Sequence, residues 1–218
     1  SLDGLDEEVH DQFRGVQGAF RNTVDGSKLL TKLGMPYIIQ TTVGAHNRGE
    51  VREIADMAYD LGARVFNLYF LVPTGRGTYI SDITHVEYEE TMAVLRDLQI
   101  HYEGKMVVNS KCAPHYQRYL YEQDPESPFL KTFDSGAGGC PAGTHYLGIR
   151  PNGDVSPCPY LPVYGGNLRE QSFASIWNDS EVFQRIRQRT QLGGNCGACE
   201  FNAACGGCRA RAYGATGD

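Results

Sequence analysis

Six of the seven cysteines in this chain fall after residue 139, at spacings that could bind metal. Four of them form the pattern C-x-x-C-x5-C-x-x-C in the segment NCGACEFNAACGGC, residues 195–208. Thiolates are ligands for zinc and for iron–sulfur clusters, and paired thiols can also form disulfides. The pattern therefore allows zinc, an iron–sulfur cluster or disulfides, with the four thiols in one site or in more than one.

Three kinds of site compete for this pattern. Zinc ribbons usually separate their two C-x-x-C pairs by about a dozen residues or more, whereas only five separate them here. Disulfides are disfavoured because the thiols crowd among glycines without a thioredoxin-like context. An iron–sulfur cluster is wide enough to take closely spaced cysteines from one glycine-rich loop. We therefore favour iron–sulfur clusters over zinc, and zinc over disulfides.

Two earlier cysteines belong to the same region. Cys140 and Cys158 are joined by a predicted hairpin whose turn is Asn152-Gly153, a strong turn pair. Their flanks, GGCPAG and SPCPY, are not apolar, so a pair of ordinary core cysteines is the less favoured interpretation. Cys112 stands apart and is more typical of a free core cysteine.

Composition excludes several function classes. The formal charge of −6 argues against a nucleic-acid partner, because phosphate binding needs a basic surface. No apolar run approaches the roughly 18–20 residues that span a bilayer, so no membrane partner is predicted. The C-x-x-C pairs favour a cytoplasmic protein. The chain starts with SLDG rather than methionine, and we expect it to be a fragment.

Residues 1–110 alternate strand and helix signals. The strands are predicted in YIIQTTV (37–43), RVFNLYFLV (64–72) and MVVN (106–109). Near-continuous apolar strands separated by helices indicate a parallel α/β sheet that is buried on both faces. The pattern does not by itself distinguish an open sheet from part of a barrel.

The helices have recognisable ends. Thr84 with Glu87, and Asn47 with Glu50, have the spacing of capping boxes. Gly62 is a plausible left-handed stop. An apolar face at helical spacing is formed by Val51, Ile54, Ala55, Ala58 and Leu61.

The chain changes character after residue 110. A Pro/Ser/Gly-rich linker is predicted at 123–139, between an α/β domain at 1–122 and a cysteine-rich domain at 140–218. The second domain is predicted to contain the hairpin and one or two short helices in SFASIWNDSEVFQRIR. Six side chains of these helices are expected to point inward: Phe173, Ile176, Trp177, Val182, Phe183 and Ile186. So loop-rich a segment would need metal to complete its fold.

The cysteine pattern resembles a known family. C-x12-G-x4-C, a gap and then C-x-x-C-x5-C is similar to the SPASM domain, the auxiliary cluster domain of radical S-adenosylmethionine maturases. One spacing departs, since the family has C-x-x-x-C where this chain has Cys205-x-x-Cys208. The family also carries one further cysteine, which does not occur before Asp218.

The resemblance extends upstream and implies the first fold. SLDG, TTVGAHN and FLVPTGRG resemble the fourth, fifth and sixth strands, with their loops, of a partial (β/α)6 TIM-like barrel. By this match, Ser1 and Asp3 would lie near the ribose of S-adenosylmethionine, Asn47 near its polar groups, and the backbone of Leu71 and Val72 against its adenine. The defining C-x-x-x-C-x-x-C is absent, so residues outside the chain would bind the catalytic 4Fe-4S cluster.

The resemblance also implies ligand sets for two auxiliary 4Fe-4S clusters. The outer set is Cys196, Cys199 and Cys205, completed by the missing cysteine. The inner set is Cys140, Cys158 and Cys208. Cys112, a substrate atom or solvent could supply the fourth inner ligand. His115 and His145 could be proton donors or ligands, although structural histidines are the more typical interpretation.

The resemblance implies an oxidoreductase in the longer protein, with the fragment alone inactive. A 5′-deoxyadenosyl radical would modify a tetrapyrrole or a precursor peptide, with flavodoxin or ferredoxin as electron donor. FLVPTGRG, CAPHYQR and CPYLP most resemble the haem-biosynthesis branch, which removes propionate carboxyls oxidatively. Pro159 stands where sulfatase maturases have an aspartate, so that activity is disfavoured. No catalytic residue is assigned. The alternative is a non-enzymatic, zinc-stapled interaction module on an α/β domain.

Overall fold

The computed structural model describes residues 1–75, 77, 82–130 and 139–217. The chain divides into two compact units. The first consists of Ser1–Leu71 and Tyr79–Cys112, and the second of Val72–Thr78 and Ala113–Asp218. The domain limits predicted from the sequence stay a prediction, since much of the predicted linker, 131–138, lies outside the described residues.

The first unit is built on a parallel sheet, as predicted. Its strands are β1 (Ile38–Val43), β2 (Val65–Phe70) and β3 (Val107–Lys111), in the spatial order β1-β2-β3. Both pairings are parallel, with Ile39 opposite Phe66 and Phe66 opposite Val108. Its helices are α1 (Glu7–Arg14), α2 (Ala19–Lys32), α3 (Val51–Asp60) and α4 (His85–His101). The predicted α/β class is confirmed.

The core of this unit surrounds β2. Phe66, Leu68 and Phe70 are buried in β2, while α3 contacts β2 and α4 contacts β3. The five residues of the predicted α3 face are all buried. Burial on both faces is found in β2 but not in the flanking strands, where Ile38 and Val107 are more than half exposed.

The capping signals had different outcomes. Thr84 caps α4, and its hydroxyl accepts from the Glu87 amide while the Glu87 carboxylate accepts from the Thr84 amide at 2.7 Å. The Asn47 capping box is wrong, because the Asn47 side chain makes tertiary hydrogen bonds instead. Gly62 adopts the predicted left-handed conformation, with φ of 95°.

Helix α2 was not predicted from the sequence. It begins after Gly18, which has φ of 78° and gives it no side-chain cap. Its one fully buried residue is Ser27, and Phe20, Val24 and Leu30 are half-buried.

The second unit combines a small antiparallel sheet with short helices. Its strands are β4 (Gly148–Ile149), β5 (Asp154–Ser156) and β6 (Gly166–Asn167), in that spatial order. Its helices are α5 (Tyr116–Gln123), α6 (Phe173–Asp179), α7 (Glu181–Arg187), α8 (Gly194–Ala198), α9 (Asn202–Cys205) and α10 (Arg209–Thr216). The predicted hairpin is confirmed as β4 paired with β5, turning at Gly153 with φ of 95°.

A compact apolar cluster supports this sheet. Val155 of β5, Ile176 of α6 and Phe183 of α7 are buried together. The prediction that Phe173 points inward is wrong, because its side chain is 51% exposed. It stacks on Trp177 at a ring distance of 6.1 Å instead. No helix in the described part of the chain is long and apolar enough to cross a membrane.

The α4 cap gives a stability prediction. Thr84→Ala removes the hydroxyl that accepts from Glu87, and should lower the free energy of unfolding by about 1 kcal/mol. Thr84→Ser keeps a hydroxyl acceptor, so its free energy of unfolding should fall much less. Chemical denaturation followed by circular dichroism measures both variants. Equal losses in the two variants would show that the hydroxyl does not stabilise the helix.

Candidate metal centre

The carboxyl edge of the parallel sheet brings two of the predicted site residues into direct contact. The segment that contains Asp3 runs beside β1, where the Leu2 amide donates to the Gln40 carbonyl at 2.9 Å. Asn47 lies in the turn that follows β1. The Asn47 side-chain amide donates to the Asp3 carbonyl at 3.0 Å, and both residues are buried.

Asn47 is a hub for backbone groups at this edge. Its amide also donates to the Thr42 carbonyl at 3.0 Å, and its Oδ1 accepts from the Gly44 amide at 3.0 Å. The side chain therefore ties the end of β1 to the Asp3 segment. Both of its side-chain protons are used by main-chain carbonyls, which makes it a shaping residue for this edge.

The Asp3 carboxylate is held equally firmly. Its Oδ1 accepts from the Thr42 amide at 2.7 Å, and its Oδ2 accepts from the Arg14 guanidinium, with Nε at 2.8 Å. The Asp3 amide donates to His10 Nδ1 at 3.0 Å. Burial lowers the pKa of His10, which favours the neutral ring that can accept this hydrogen bond.

The remaining residues predicted to bind S-adenosylmethionine are Ser1, Leu71 and Val72. Ser1 is exposed. Leu71 and Val72 directly follow β2, and both are buried. Cys112 directly follows β3 and has φ of 57°, a positive value shared with no other non-glycine residue among those described. Leu71, Val72 and Cys112 therefore lie at the carboxyl ends of parallel strands, where parallel α/β folds bind ligands.

In the second unit, Cys140 lies among the other predicted inner ligands. Burial, with a smaller contribution from the charges of Cys208 and Cys158, raises the pKa of the Cys140 thiol to about 11. These three sulfurs are thus electrostatic neighbours, although Cys208 is far from the other two along the chain. The Ala142 amide donates a hydrogen bond to Cys140, which acts in the opposite direction.

Cys205 has a different set of neighbours. Burial raises the pKa of its thiol, and the charges of Cys196 and Cys199 add to this effect, while a hydrogen bond from the Gly207 amide opposes it. The Gly207 backbone also lies beside Cys196, since a Cβ built on it would be 3.4 Å from Cys196 Sγ. The pKa of Cys140 thus responds to Cys158 and Cys208, and that of Cys205 to Cys196 and Cys199, which agrees with a division into two ligand sets that stays a prediction.

The loop between Cys205 and Cys208 makes this division possible. Gly206 and Gly207 both have left-handed φ values, 66° and 60°. Residues with a side chain rarely adopt this conformation, so two glycines in succession reverse the backbone within two residues. The reversal turns the Gly207 amide towards Cys205 and leaves Cys208 to begin α10.

The two loops also meet through their backbones. The Cys140 amide donates to the Cys205 carbonyl at 3.3 Å. Gly139 is pressed against the same peptide, because a Cβ on it would lie 2.0 Å from the Cys205 carbonyl oxygen. The inner and outer thiol sets are therefore neighbours within the second unit.

Arg189 is a residue of this centre that the sequence reasoning did not identify. Its guanidinium donates to the Cys140 carbonyl at 2.8 Å and approaches the Ala203 and Ala204 carbonyls at 3.4 Å. Its position in the segment RIRQR carries no metal-site pattern. The one available signal is an arginine shortly before a group of cysteines.

Tyr146 and the two candidate histidines, His115 and His145, have different surroundings. The Tyr146 hydroxyl donates to Cys158 Sγ at 3.5 Å. Burial, followed by the charges of Arg211 and Arg118, lowers the pKa of His115 to about 4, so its ring is neutral at physiological pH. His145 Nδ1 shares a hydrogen bond with the Thr144 hydroxyl at 3.0 Å.

The donor set fits iron–sulfur clusters by its chemistry. All seven cysteines are free, and amide or hydroxyl donors point at the sulfurs of Cys140, Cys158 and Cys205. Donors of this kind stabilise thiolates and tune cluster potentials. Within the described ranges, no three His, Cys, Asp or Glu side chains are grouped so that they could hold a single metal ion. The ligand roles themselves stay predictions.

Comparison with known proteins identifies the cysteine-rich region. Residues 140–200 match the SPASM family, an iron-sulfur cluster-binding domain. The whole chain is 41% identical to an AdoMet-dependent heme synthase of Methanosarcina barkeri and 38% identical to one of Nitratidesulfovibrio vulgaris. It spans 63% and 61% of the lengths of these relatives.

Solved structures show the same fold. The crystal structure of Streptococcus suis SuiB bound to S-adenosylmethionine superposes with a TM-score of 0.70 at 19% identity. The match covers 96% of this chain and 48% of SuiB. Both units are thus found in the same order in a protein that binds S-adenosylmethionine.

The Asn47 hub gives a testable prediction. Asn47→Ala would leave the buried Asp3 and Thr42 carbonyls and the Gly44 amide without this partner, which should lower the free energy of unfolding by about 2–3 kcal/mol. Asn22→Ala, on the exposed surface of α2, is the matched control and should change it by about 0.5 kcal/mol or less. Denaturant titration measures the free energy of unfolding of both variants. Similar losses in the two would show that the Asn47 hydrogen bonds do not stabilise the fold.

Proposed function

Because the chain belongs to the radical S-adenosylmethionine family whose members carry a SPASM domain, we propose that it is part of a longer radical oxidoreductase. In this proposal the first unit contributes to the S-adenosylmethionine site, and the second unit binds two auxiliary 4Fe-4S clusters. The catalytic 4Fe-4S cluster would be bound by residues outside this chain. Bound S-adenosylmethionine would supply a 5′-deoxyadenosyl radical that removes a hydrogen atom from the substrate.

The match of residues 140–200 to an iron-sulfur cluster-binding domain, together with 41% identity to an AdoMet-dependent heme synthase, carries the proposal. The electrostatics of the thiols support two ligand sets. Cys140 interacts with Cys158 and Cys208, and Cys205 with Cys196 and Cys199. Three thiols on each side supply three corners of a cluster, leaving one iron of each for a further ligand. The missing downstream cysteine is the proposed fourth outer ligand, and Cys112, substrate or solvent the proposed inner one.

The chain's own residues would position and shield these groups. In the first unit, Asn47 and Arg14 fix the backbone and carboxylate of Asp3 at the carboxyl edge of the sheet. Ser1, Asp3, Asn47 and the backbone of Leu71 and Val72 are the proposed contacts to S-adenosylmethionine. In the second unit, the Ala142 and Gly207 amides stabilise thiolate charge that burial disfavours.

We propose a tetrapyrrole as the substrate, from which propionate carboxyls are removed oxidatively. The identity of about two fifths to AdoMet-dependent heme synthases over the whole chain supports this substrate above a precursor peptide. Each propionate would lose its carboxyl group as carbon dioxide, together with one hydrogen atom and one electron, to leave a vinyl group. The hydrogen atom would go to the 5′-deoxyadenosyl radical and the electron to an auxiliary cluster.

Anaerobic reconstitution followed by metal, sulfide and product analysis tests the proposal. The protein should contain iron and sulfide in equal amounts and absorb in the visible range. With S-adenosylmethionine, a reductant and a propionate-bearing tetrapyrrole, the full-length enzyme should form 5′-deoxyadenosine and a vinyl product. Stoichiometric zinc without sulfide would instead support a zinc-stapled module. Turnover of a precursor peptide but not of the tetrapyrrole would overturn the substrate assignment.

The proposed ligand sets predict which cysteine variants should lose the same cluster. Cys208→Ala and Cys140→Ala should abolish the same electron paramagnetic resonance signal, since both residues belong to the inner set. Cys196→Ala should abolish the other auxiliary signal and spare the first. If Cys208→Ala behaved like Cys196→Ala instead, the four clustered cysteines would form one site and the division would be wrong.

The Tyr146 hydroxyl gives a prediction for the inner cluster. Tyr146→Phe removes a hydrogen bond to Cys158 Sγ, and hydrogen bonds to ligand sulfurs raise a cluster's reduction potential. The inner potential should therefore become more negative in a redox titration. Tyr164→Phe is the matched control, because both tyrosines are 38% exposed and Tyr164 packs under the Arg150 guanidinium. A shift of equal size in the control would exclude a specific role for Tyr146.

A further inference from the structure

Arg189 connects the backbones of the two cysteine loops. It lies in a short 3-10 turn, Arg189–Gln191, between α7 and the clustered cysteines. One terminal nitrogen donates to the Cys140 carbonyl at 2.8 Å, and the other approaches the Ala203 and Ala204 carbonyls at 3.4 Å. Cys140 belongs to the inner thiol set, while Ala204 immediately precedes Cys205 of the outer set.

The aliphatic part of the side chain also lies against the cysteine loop. A Cβ built on Gly206 would be 2.9 Å from both Cδ and Nε of Arg189. Gly206 is the first of the two left-handed glycines that separate Cys205 from Cys208. The arginine therefore contacts the loop where the two thiol sets diverge, and a side chain at Gly206 would displace it.

The guanidinium charge acts on both thiol sets. The guanidinium is 2.8 Å from the Cys140 carbonyl and 3.4 Å from the Ala204 carbonyl, which belongs to the peptide that joins Ala204 to Cys205. A charge that stabilises a thiolate also stabilises any neighbouring group that becomes more negative. Reduction of an iron–sulfur cluster adds one negative charge, so a nearby cation should favour the reduced form.

We propose that Arg189 is a positioning residue that joins the inner and outer cluster loops and raises the reduction potentials of both auxiliary clusters together. This inference rests on the proposed function, because it requires both clusters to bind. Its three carbonyl contacts match the planar, many-donor shape of a guanidinium. A lysine would keep the charge but could not reach the same carbonyls in the same geometry.

The test compares four forms of the reconstituted full-length protein: unsubstituted, Arg189→Gln, Arg189→Lys and Arg185→Met. Arg189→Gln removes the charge and keeps hydrogen-bond donors, while Arg189→Lys keeps the charge and loses the planar fork. Arg185→Met is the matched control, because Arg185 is an exposed arginine four residues earlier, in α7. Iron and sulfide per chain measure cluster content, and redox titration followed by electron paramagnetic resonance measures both auxiliary potentials.

The expected result is a shift of both auxiliary potentials to more negative values in Arg189→Gln, with recovery in Arg189→Lys and no shift in Arg185→Met. Unchanged potentials in Arg189→Gln, a shift of one cluster alone, or an equal shift in the control would overturn the inference. If Arg189→Gln does not bind clusters, the potentials of Arg189→Lys are the test. Auxiliary potentials in Arg189→Lys that differ from those of the unsubstituted protein would then overturn the inference. An unsubstituted protein without iron and sulfide would overturn the proposed function itself.

Discussion

In the second unit, the thiols of Cys140 and Cys205 are largely buried in a small, loop-rich body, and each feels the charges of two other cysteines. Burial and mutual repulsion both oppose ionisation of Cys140 and Cys205, so the thiolate form that binds metal is disfavoured without compensation. The compensation available in the chain is local: backbone amides of Ala142 and Gly207, and the charge of Arg189. Cluster iron would supply the larger part, which couples cluster binding to the folding of this unit.

The apolar core of the second unit is small and stabilises only part of it. Val155, Ile176 and Phe183 form a cluster that supports the hairpin and α6–α7, and the cysteine segment 195–208 contributes no residue to it. The loops themselves are held by main-chain contacts, such as that between Cys140 and Cys205, and by Arg189. The proposed clusters would thus stabilise the part of the unit that this small apolar core does not reach.

In the first unit, the backbone at the proposed site is held by buried hydrogen bonds instead. Its buried polar corner, made by Asp3, Asn47 and Thr42, satisfies backbone groups at the carboxyl edge of the sheet. Buried polar groups of this kind are stable when each has its partner, and they then hold the backbone in one arrangement. Two of the proposed S-adenosylmethionine contacts, Asp3 and Asn47, belong to this corner.

Local patterns determined a large share of this protein. Strand and helix periodicity predicted the parallel sheet, Thr84 and Glu87 predicted the start of α4, and Asn152-Gly153 predicted the hairpin turn. These signals act over a few residues, so they can be read directly. The cysteine pattern similarly pointed to iron–sulfur chemistry and to the SPASM family.

Only the tertiary structure decided the partners of side chains that bond over long distances in sequence. Asn47 has the spacing of a helix cap, but the Asp3 carbonyl, 44 residues away, takes its amide proton. Arg189 has no motif, and its role emerges because folding brings the Cys140 carbonyl, 49 residues away, within 2.8 Å. A sequence shows which groups can donate or accept, whereas the folded chain decides which of the many possible partners are within hydrogen-bonding distance.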